Sequence, residues 1–164
     1  MVSPADPPAN DPASDKATEL PTWANGLGLQ PHPEGGFFAE TWRSGPTLGN
    51  DLLGDAYDGD RDLVTAIYYL LLPDQTSAWH VVTSPELWLY HRGGPLRMSL
   101  GGTDPDGPTE VVDLVLGAGL LTGEQPQILV PADTWQMARP VGEEPVLVSC
   151  VVAPGFDPRD FRLL

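Results

Sequence analysis

The chain has 164 residues and a formal net charge of −15, with 8 lysines and arginines against 23 aspartates and glutamates. Its length fits one domain with a substantial core. So acidic a chain lacks the basic face that nucleic acids and anionic membranes attract, which argues against both as partners. Cys150 is the one cysteine and lies in an apolar run. We therefore expect a buried, inert thiol and no intramolecular disulfide.

Residues 1–18 are rich in proline, aspartate and serine, and they predict a disordered tail because they cannot bury enough apolar area. They show neither the basic nor the apolar segment of a signal peptide. No apolar run in the chain reaches membrane-spanning length. We therefore expect a cytoplasmic protein with one folded domain over residues 19–164.

The first predicted elements are short. Leu20–Leu29 predicts at most a short helix with Thr22 as its N-cap. Two prolines and two glycines in residues 30–36 predict a loop, in which we interpret His32 as a turn or dimer contact. Phe37–Ser44 alternates as a strand, with its odd-numbered and even-numbered residues on opposite sides.

An acidic, glycine-rich insertion follows at residues 45–62 and predicts an exposed loop. Its closely spaced carboxylates Asp58, Asp60 and Asp62 suggest a calcium loop as an alternative. The segment lacks the ligand order and the terminal glutamate of an EF-hand, so we favour the exposed loop.

From residue 63 onward, short strands alternate with Gly/Pro-rich turns, and no amphipathic helix follows residue 30. This pattern is typical of a β-sandwich or barrel. The predicted strands are Val64–Leu72, a hairpin over 78–92, Pro95–Gly101, Glu110–Leu116, Gln127–Val130, Thr134–Arg139 and Pro145–Val152.

The hairpin holds the residues best suited to chemistry. Its turn directs His80 and Glu86 toward a common interior, and period-two alternation places Glu86, Trp88 and Tyr90 on one face. An imidazole, a carboxylate and two amphipathic aromatic rings on a buried surface indicate a ligand pocket. The alternative is a hairpin with a core histidine and ordinary aromatic packing.

These residues carry a resemblance to a known family. The run from His80 to Glu86, followed by Gly93, resembles the first cupin motif, and Gln127–Met137 resembles the second. More narrowly, the chain from about residue 20 resembles the cupin-5 (DUF985) family in five ordered motifs. The resemblance implies an all-β double-stranded β-helix, the cupin jelly roll, with a short N-terminal helix. It also implies a homodimer and a relation to the sugar-nucleotide 3,5-epimerases.

The metal ligands of that pattern are incomplete here. Val82 stands where the motif has its second histidine, and Gln136 stands where it has its last. If a divalent transition metal binds, the ligands left are His80, Glu86 and Gln136, a weak set. His91 is directed to the opposite face by strand alternation. We therefore expect no metal cofactor.

Without a metal, His80 is the expected acid/base, because its ordinary pKa lies near neutral. We expect Glu86 to orient the ring and Tyr90 to supply a second acid. The residues predicted to bind a substrate are Glu40, Arg43, Tyr68, Trp88, Trp135 and Gln136. Both tryptophans have core packing as an alternative, and Glu40 and Arg43 have a structural ion pair.

Three functions are compatible with these residues and with the resemblance. The first is a metal-independent isomerase, epimerase or cyclase that acts on a small molecule through His80. The second is a metal-dependent dioxygenase or decarboxylase, and the third is a non-catalytic module that binds a metabolite. Fold analogy favours the first, but a fold does not determine a function.

Overall fold

The computed structural model describes residues 19–164, and the tail predicted for residues 1–18 lies outside them. Thirteen strands and one helical turn, α1 (Asn50–Leu53), make up most of the regular structure described. The strands are β1 (Gln30–Pro31), β2 (Phe37–Arg43), β3 (Thr47–Leu48), β4 (Arg61–Asp62), β5 (Thr65–Leu71), β6 (Ser77–Val82), β7 (Glu86–Arg92), β8 (Leu96–Leu100), β9 (Val112–Leu116), β10 (Gln127–Val130), β11 (Gln136–Pro140), β12 (Val146–Val152) and β13 (Phe161–Leu163).

The strands form two antiparallel sheets. One sheet has the order β1-β2-β5-β12-β7-β10 and the other has the order β13-β6-β11-β8-β9. The chain crosses between the sheets repeatedly, so strands distant in sequence become neighbours. For example, β12 pairs with β7, and this pairing places Val152 opposite Glu86. The predicted all-β double-stranded β-helix is confirmed.

The main core lies between the two sheets and includes Tyr69, Trp88 and Met98. A second cluster, which includes Leu70 and the partly buried Tyr68, packs on the other face of β5 against the N-terminal segment. Because side chains alternate along a strand, only one of the adjacent Tyr68 and Tyr69 faces the barrel interior. The inward residue is Tyr69.

Two predictions at the chain ends differ from the structure. The N-terminal element is a 3₁₀ turn over Thr22–Ala24, with Pro21 rather than Thr22 at the N-cap position and no side-chain capping bond. At the other end, β13 pairs with β6 although no strand was predicted there. Three residues give too short an alternating pattern to predict a strand, and here β13 is held by the ladder with β6.

The insertion at residues 45–62 is not simply an exposed loop. It contains α1 and the β3–β4 ladder. The guanidinium of Arg61 is buried, and it donates two hydrogen bonds to Asp160 at 2.7 and 2.6 Å. Arg61 also donates to the main-chain carbonyls of Asp58, Gly59 and Asp60. The guanidinium of Arg61 therefore occupies the loop for which calcium binding was the alternative interpretation.

No helix within residues 19–164 combines the length and the apolar character needed to cross a membrane.

Candidate active site

A cavity of about 240 Å³ lies between the two sheets, near the end of the barrel where β13 pairs with β6. Its wall combines ionisable side chains with aliphatic and aromatic ones. The lining residues are His32, Glu34, Phe38, Glu40, Arg43, Thr65, Ile67, His80, Val82, Glu86, Cys150, Val152, Phe156, Pro158 and Phe161.

The imidazole of His80 is held by the main chain of its own strand. The pairing of β6 with β11 shifts register, because Gln136 faces His80 while Ala138 faces Ser77, which leaves one extra residue on β6. Such a bulge frees peptide groups from the ladder. The carbonyl oxygen of Ala78 lies 2.8 Å from Nδ1 of His80. A carbonyl only accepts, so Nδ1 carries the proton.

Nε2 of neutral His80 therefore carries the free lone pair, and it opens onto the cavity. The atom has no hydrogen-bond partner within residues 19–164. It is not sealed in the core either, since no buried side-chain nitrogen or oxygen of that range is without a partner. His80 lines the cavity while its side chain is only 3% exposed. It is thus a buried base whose free nitrogen faces the open space.

Glu34 is the carboxylate nearest to the ring of His80, and the sequence did not predict it as a site residue. Its Oε2 lies 3.3 Å from Nδ1 of His80 and 3.7 Å from Nδ1 of His32. Its Oε1 accepts a hydrogen bond from Ser77 at 2.9 Å. The main-chain carbonyl of Glu34 accepts from the amide of Ala78. The structure therefore gives Glu34 the place beside the imidazole that was expected for Glu86.

The loop that carries Glu34 is pressed against the barrel. Gly35 has a φ of +110°, and a Cβ there would lie 2.2 Å from the carbonyl oxygen of Thr76. Gly36 has a φ of +69°, and a Cβ there would lie 2.7 Å from the carbonyl oxygen of Leu70. Only glycine combines this backbone conformation with so close an approach. The two glycines therefore determine where Glu34 and His32 sit.

Replacing Gly35 by alanine is expected to displace this loop and to destabilise the fold. A residue forced into such a conformation costs about 1–3 kcal/mol, and the clash with Thr76 adds to this cost. Urea denaturation will measure the change. Alanine at Gly26, where a Cβ meets nothing within 4 Å, is the matched control. Equal stability of the two variants would contradict the tight fit of the loop.

Glu86 is oriented by a chain of hydrogen bonds from the core. The indole of Trp88 donates to Oε1 of Gln136 at 3.0 Å, which fixes the orientation of the amide. The amide nitrogen of Gln136 then donates to Oε2 of Glu86 at 2.6 Å. Trp88 and Gln136 are therefore core residues that position Glu86, and they do not line the cavity.

Burial shifts the pKa values of the polar cluster toward the neutral forms. Desolvation lowers the pKa of His80 and of His32, and the nearby carboxylates only partly offset it. Desolvation raises the pKa of Glu34 and of Glu86. The pKa of the Cys150 thiol is raised well above its ordinary value, first by burial and then by Glu86. The thiol is therefore inert, as the sequence predicts.

The rim of the cavity carries a satisfied ion pair. Arg43 donates to both carboxylate oxygens of Glu40, at 3.1 and 2.6 Å, and to Asp62 at 2.7 Å. Strict alternation would separate Arg43 from Glu40, but a bulge between Glu40 and Trp42 shifts the register of β2. The expectation of opposite sides is therefore wrong. Both residues line the cavity, and Trp42 is 55% exposed.

The structure does not bring every predicted site residue to the cavity. His80, Glu86, Glu40 and Arg43 line it. The other predicted residues make contacts away from the cavity. Tyr68 packs in the second cluster, the hydroxyl of Tyr90 donates to the carbonyl of Gly93, and the indole of Trp135 donates to the carbonyl of Asp104 at 2.6 Å. His91 is exposed and contacts Ser149, as strand alternation predicts.

His32 and Glu34 are the histidine and the carboxylate of the cavity that the sequence did not predict as site residues. A usable signal was present in the loop at residues 30–36, where two titratable side chains alternate with prolines and precede two glycines. Such a restrained loop fixes the geometry of its polar side chains, whereas a simple linker has no need to. Interpreting His32 as a turn or dimer contact did not foresee its place in the cavity wall.

The donor set does not fit a transition metal. Gln136 directs its amide nitrogen at Glu86, and its oxygen already accepts from Trp88, so it offers no free oxygen. Val82 lines the cavity at the position where the cupin motif has a histidine. No group of three or more histidines, cysteines, aspartates or glutamates suited to a metal ion occurs within residues 19–164.

Comparisons with known proteins agree on one family. Residues 21–164 match the family model described as Cupin superfamily (DUF985). The uncharacterized protein YML079W of Saccharomyces cerevisiae is 31% identical over 146 residues, which cover 83% of this chain and 70% of the yeast protein. A hypothetical protein from Leishmania major is 32% identical with a TM-score of 0.76, covering 87% of this chain and 85% of its own. Protein SO0799 from Shewanella oneidensis is 34% identical with a TM-score of 0.73, covering 87% and 82%.

Proposed function

Since the chain belongs to the DUF985 family of the cupin superfamily, we propose that its barrel binds a small organic molecule and that His80 transfers a proton on it. The reaction class is isomerisation or epimerisation next to a carbonyl group. One observation carries the proposal, namely that Nδ1 of His80 is bound to a main-chain carbonyl while Nε2 opens onto the cavity.

The chemistry follows from the tautomer. Nε2 of neutral His80 takes a proton from a carbon next to the carbonyl, which leaves an imidazolium and an enolate. The imidazolium returns a proton to that carbon, and His80 is neutral again. When the enolate turns over in the cavity before it is reprotonated, the proton arrives on the opposite face and the product is the epimer. Glu34, 3.3 Å from Nδ1, stabilises the imidazolium while it exists.

The cavity supports this chemistry in two further ways. Its phenylalanine and aliphatic walls exclude water from the reacting carbon, which strengthens the interaction of the imidazolium with Glu34. Glu86 adds a second carboxylate whose charge favours protonation of His80. A general base of this kind contributes about 10²–10⁴-fold to a rate.

The test uses exchange of carbon-bound hydrogen with solvent. Small ketones and aldehydes are first screened for those that raise the melting temperature, because a ligand that binds the folded state stabilises it by mass action. Each hit is then incubated with the protein in D₂O, and loss of its C–H signal is followed by NMR. We expect exchange above the protein-free rate, unchanged in His91→Ala, whose histidine lies on the outer surface. Hits that stabilise the protein without exchanging would contradict proton transfer and favour a non-catalytic binding module.

Exchange should weaken as the pH falls. Only neutral His80 accepts a proton, and burial lowers its pKa below the ordinary value of 6.5. The rate should therefore be flat above pH 6.5 and fall as the pH drops through the lowered pKa. Rates from pH 5 to 8 in roughly half-unit steps, with melting temperatures at each pH to exclude unfolding, will measure this. A rate that rises as the pH falls would mean that protonated His80 is the active form. The other titratable groups facing the cavity near His80 are His32, Glu34, Glu86 and Cys150.

A further inference from the structure

The charges lining the cavity are unbalanced. Three carboxyl groups line it, from Glu34, Glu40 and Glu86, and the only lysine or arginine among the lining residues is Arg43. Burial lowers the pKa of the two imidazoles that are also present, and it raises the pKa of Glu34 and Glu86. A ligand cation beside these two carboxyl groups favours their ionised forms, whereas nothing comparable in the lining favours an anion. The lining therefore presents more potential negative charge than positive charge.

Arg43 has little capacity left for a ligand anion. It makes a bidentate pair with Glu40 and a third hydrogen bond to Asp62 at 2.7 Å. Two carboxylates thus surround one guanidinium. An anionic ligand could reach only the two N–H groups that these carboxylates leave free, beside Glu40 and Asp62, and it would also meet Glu34 and Glu86 deeper in the cavity. Phosphates and carboxylates are consequently poor ligands for this lining.

The proposed reaction also favours a positively charged ligand. Removing a proton next to a carbonyl creates an enolate, which enzymes stabilise with a cation, a metal or an oxyanion hole. Among the residues that line the cavity, Arg43 is the one permanent cation, and it is already paired. A substrate that carries its own positive charge close to the reacting carbon would supply the missing stabilisation.

We infer that the ligand is a small amine, bound as its cation with the ammonium group at Glu34 and Glu86, and that as a substrate it carries a carbonyl next to the exchanging C–H. The inference rests on the proposed use of this cavity as the ligand site. The free Nε2 of His80 also favours a ligand here, because it belongs to a side chain that is only 3% exposed and lines the cavity.

The remainder of the cavity sets the size and the apolar character of the ligand. Phe38, Phe156 and Phe161 line it together with Ile67 and Val152. A cavity of roughly 150 Å³ is enough to bind benzene, so about 240 Å³ holds one ring or a short branched chain with a polar head. Phenylalanine faces also attract cations. Nucleotide-sized ligands exceed this space, which lies below the usual range for drug-sized pockets of about 300–1,000 Å³.

Three compounds of nearly equal shape test the charge preference on the full-length protein. Benzylamine is cationic at pH 7, benzyl alcohol is neutral and benzoate is anionic. Calorimetric titration at low ionic strength should give benzylamine an affinity at least about 10-fold above that of benzoate, with benzyl alcohol between them. Benzoate binding as tightly as benzylamine, or no binding by any of the three, would overturn the inference.

Charge-removing variants locate the contact. Glu34→Gln and Glu86→Gln keep the shape of the side chain, and each should reduce the affinity for benzylamine several-fold while benzyl alcohol is little affected. Glu143→Gln removes a charge from an exposed turn and is the matched control. Equal losses in all three variants would indicate a general effect of net charge and would overturn the assigned contact. The compound series on the unaltered protein stands without any variant, in case one does not fold.

The outcomes separate this inference from the proposed function. None of the three compounds has a C–H next to a ketone or aldehyde, so their binding does not depend on turnover. A preference for benzylamine without His80-dependent exchange would leave the amine site and reject proton transfer. Exchange of neutral or anionic carbonyl compounds with a preference for benzoate would leave proton transfer and reject the amine.

Discussion

Replacing His80 by asparagine is expected to lower the rate of hydrogen exchange by about 10²–10⁴-fold, the usual contribution of a positioned general base. The asparagine amide still offers a donor for the carbonyl of Ala78, while the free lone pair of Nε2 is lost. The melting temperature of the variant should stay close to that of the unaltered protein. NMR exchange in D₂O on a compound that stabilises both proteins measures the effect.

The control is a histidine outside the cavity. His91 is exposed and contacts Ser149, so His91→Asn removes an imidazole without touching the cavity. Its exchange rate should match that of the unaltered protein. A folded His80→Asn variant that keeps more than about a tenth of the rate would remove His80 from the mechanism, since a loss that small is below the usual range for a general base.

Replacing Arg61 by methionine is expected to cost about 3–5 kcal/mol in the free energy of unfolding, because it leaves the carboxylate of Asp160 buried without its partner. The side chains of Arg61 and Asp160 are only 1% and 4% exposed, and two hydrogen bonds join them. Three main-chain carbonyls of residues 58–60 lose their donor as well. Chemical denaturation of the purified variant measures the change.

An exposed pair provides the contrast. Arg97 lies 3.4 Å from Asp113, and their side chains are 40% and 49% exposed. Because solvent screens such a pair, Arg97→Met should cost at most about 1 kcal/mol. If the two methionine variants lose the same stability, the buried pair does not hold the insertion at 45–62 against the C-terminal segment.

The strands were predictable because their pattern is strong. β5 and β12 are β-branched, aromatic and aliphatic runs bounded by turn residues, and the structure forms both within a residue of the predicted ends. The cupin motifs then implied the jelly roll, and His80 with Glu86 could be directed to one interior. What was predictable thus depends on period-two alternation and on ordered motifs.

The rest of the site depends on departures from that alternation. One extra residue in β2 brings Arg43 to the side of Glu40, and one in β6 turns the carbonyl of Ala78 to His80. A bulge is set by pairing with a strand distant in sequence, so local periodicity does not contain it. Glu34 sits on a loop, whose side-chain directions follow from the close approach of Gly35 to Thr76.

The orientation of His80 has a consequence for how barrels of this kind can diverge. Its partner is a peptide carbonyl, and the Ala78 side chain is exposed, so substitution at position 78 leaves that partner in place. The carboxylates around the ring, by contrast, are side chains that one codon change can neutralise or remove. With the proposed amine site, one substitution at Glu34 or Glu86 would therefore change the ligand charge that the cavity favours. Proteins that diverge in this way would keep the orientation of His80 while their ligand preference changes.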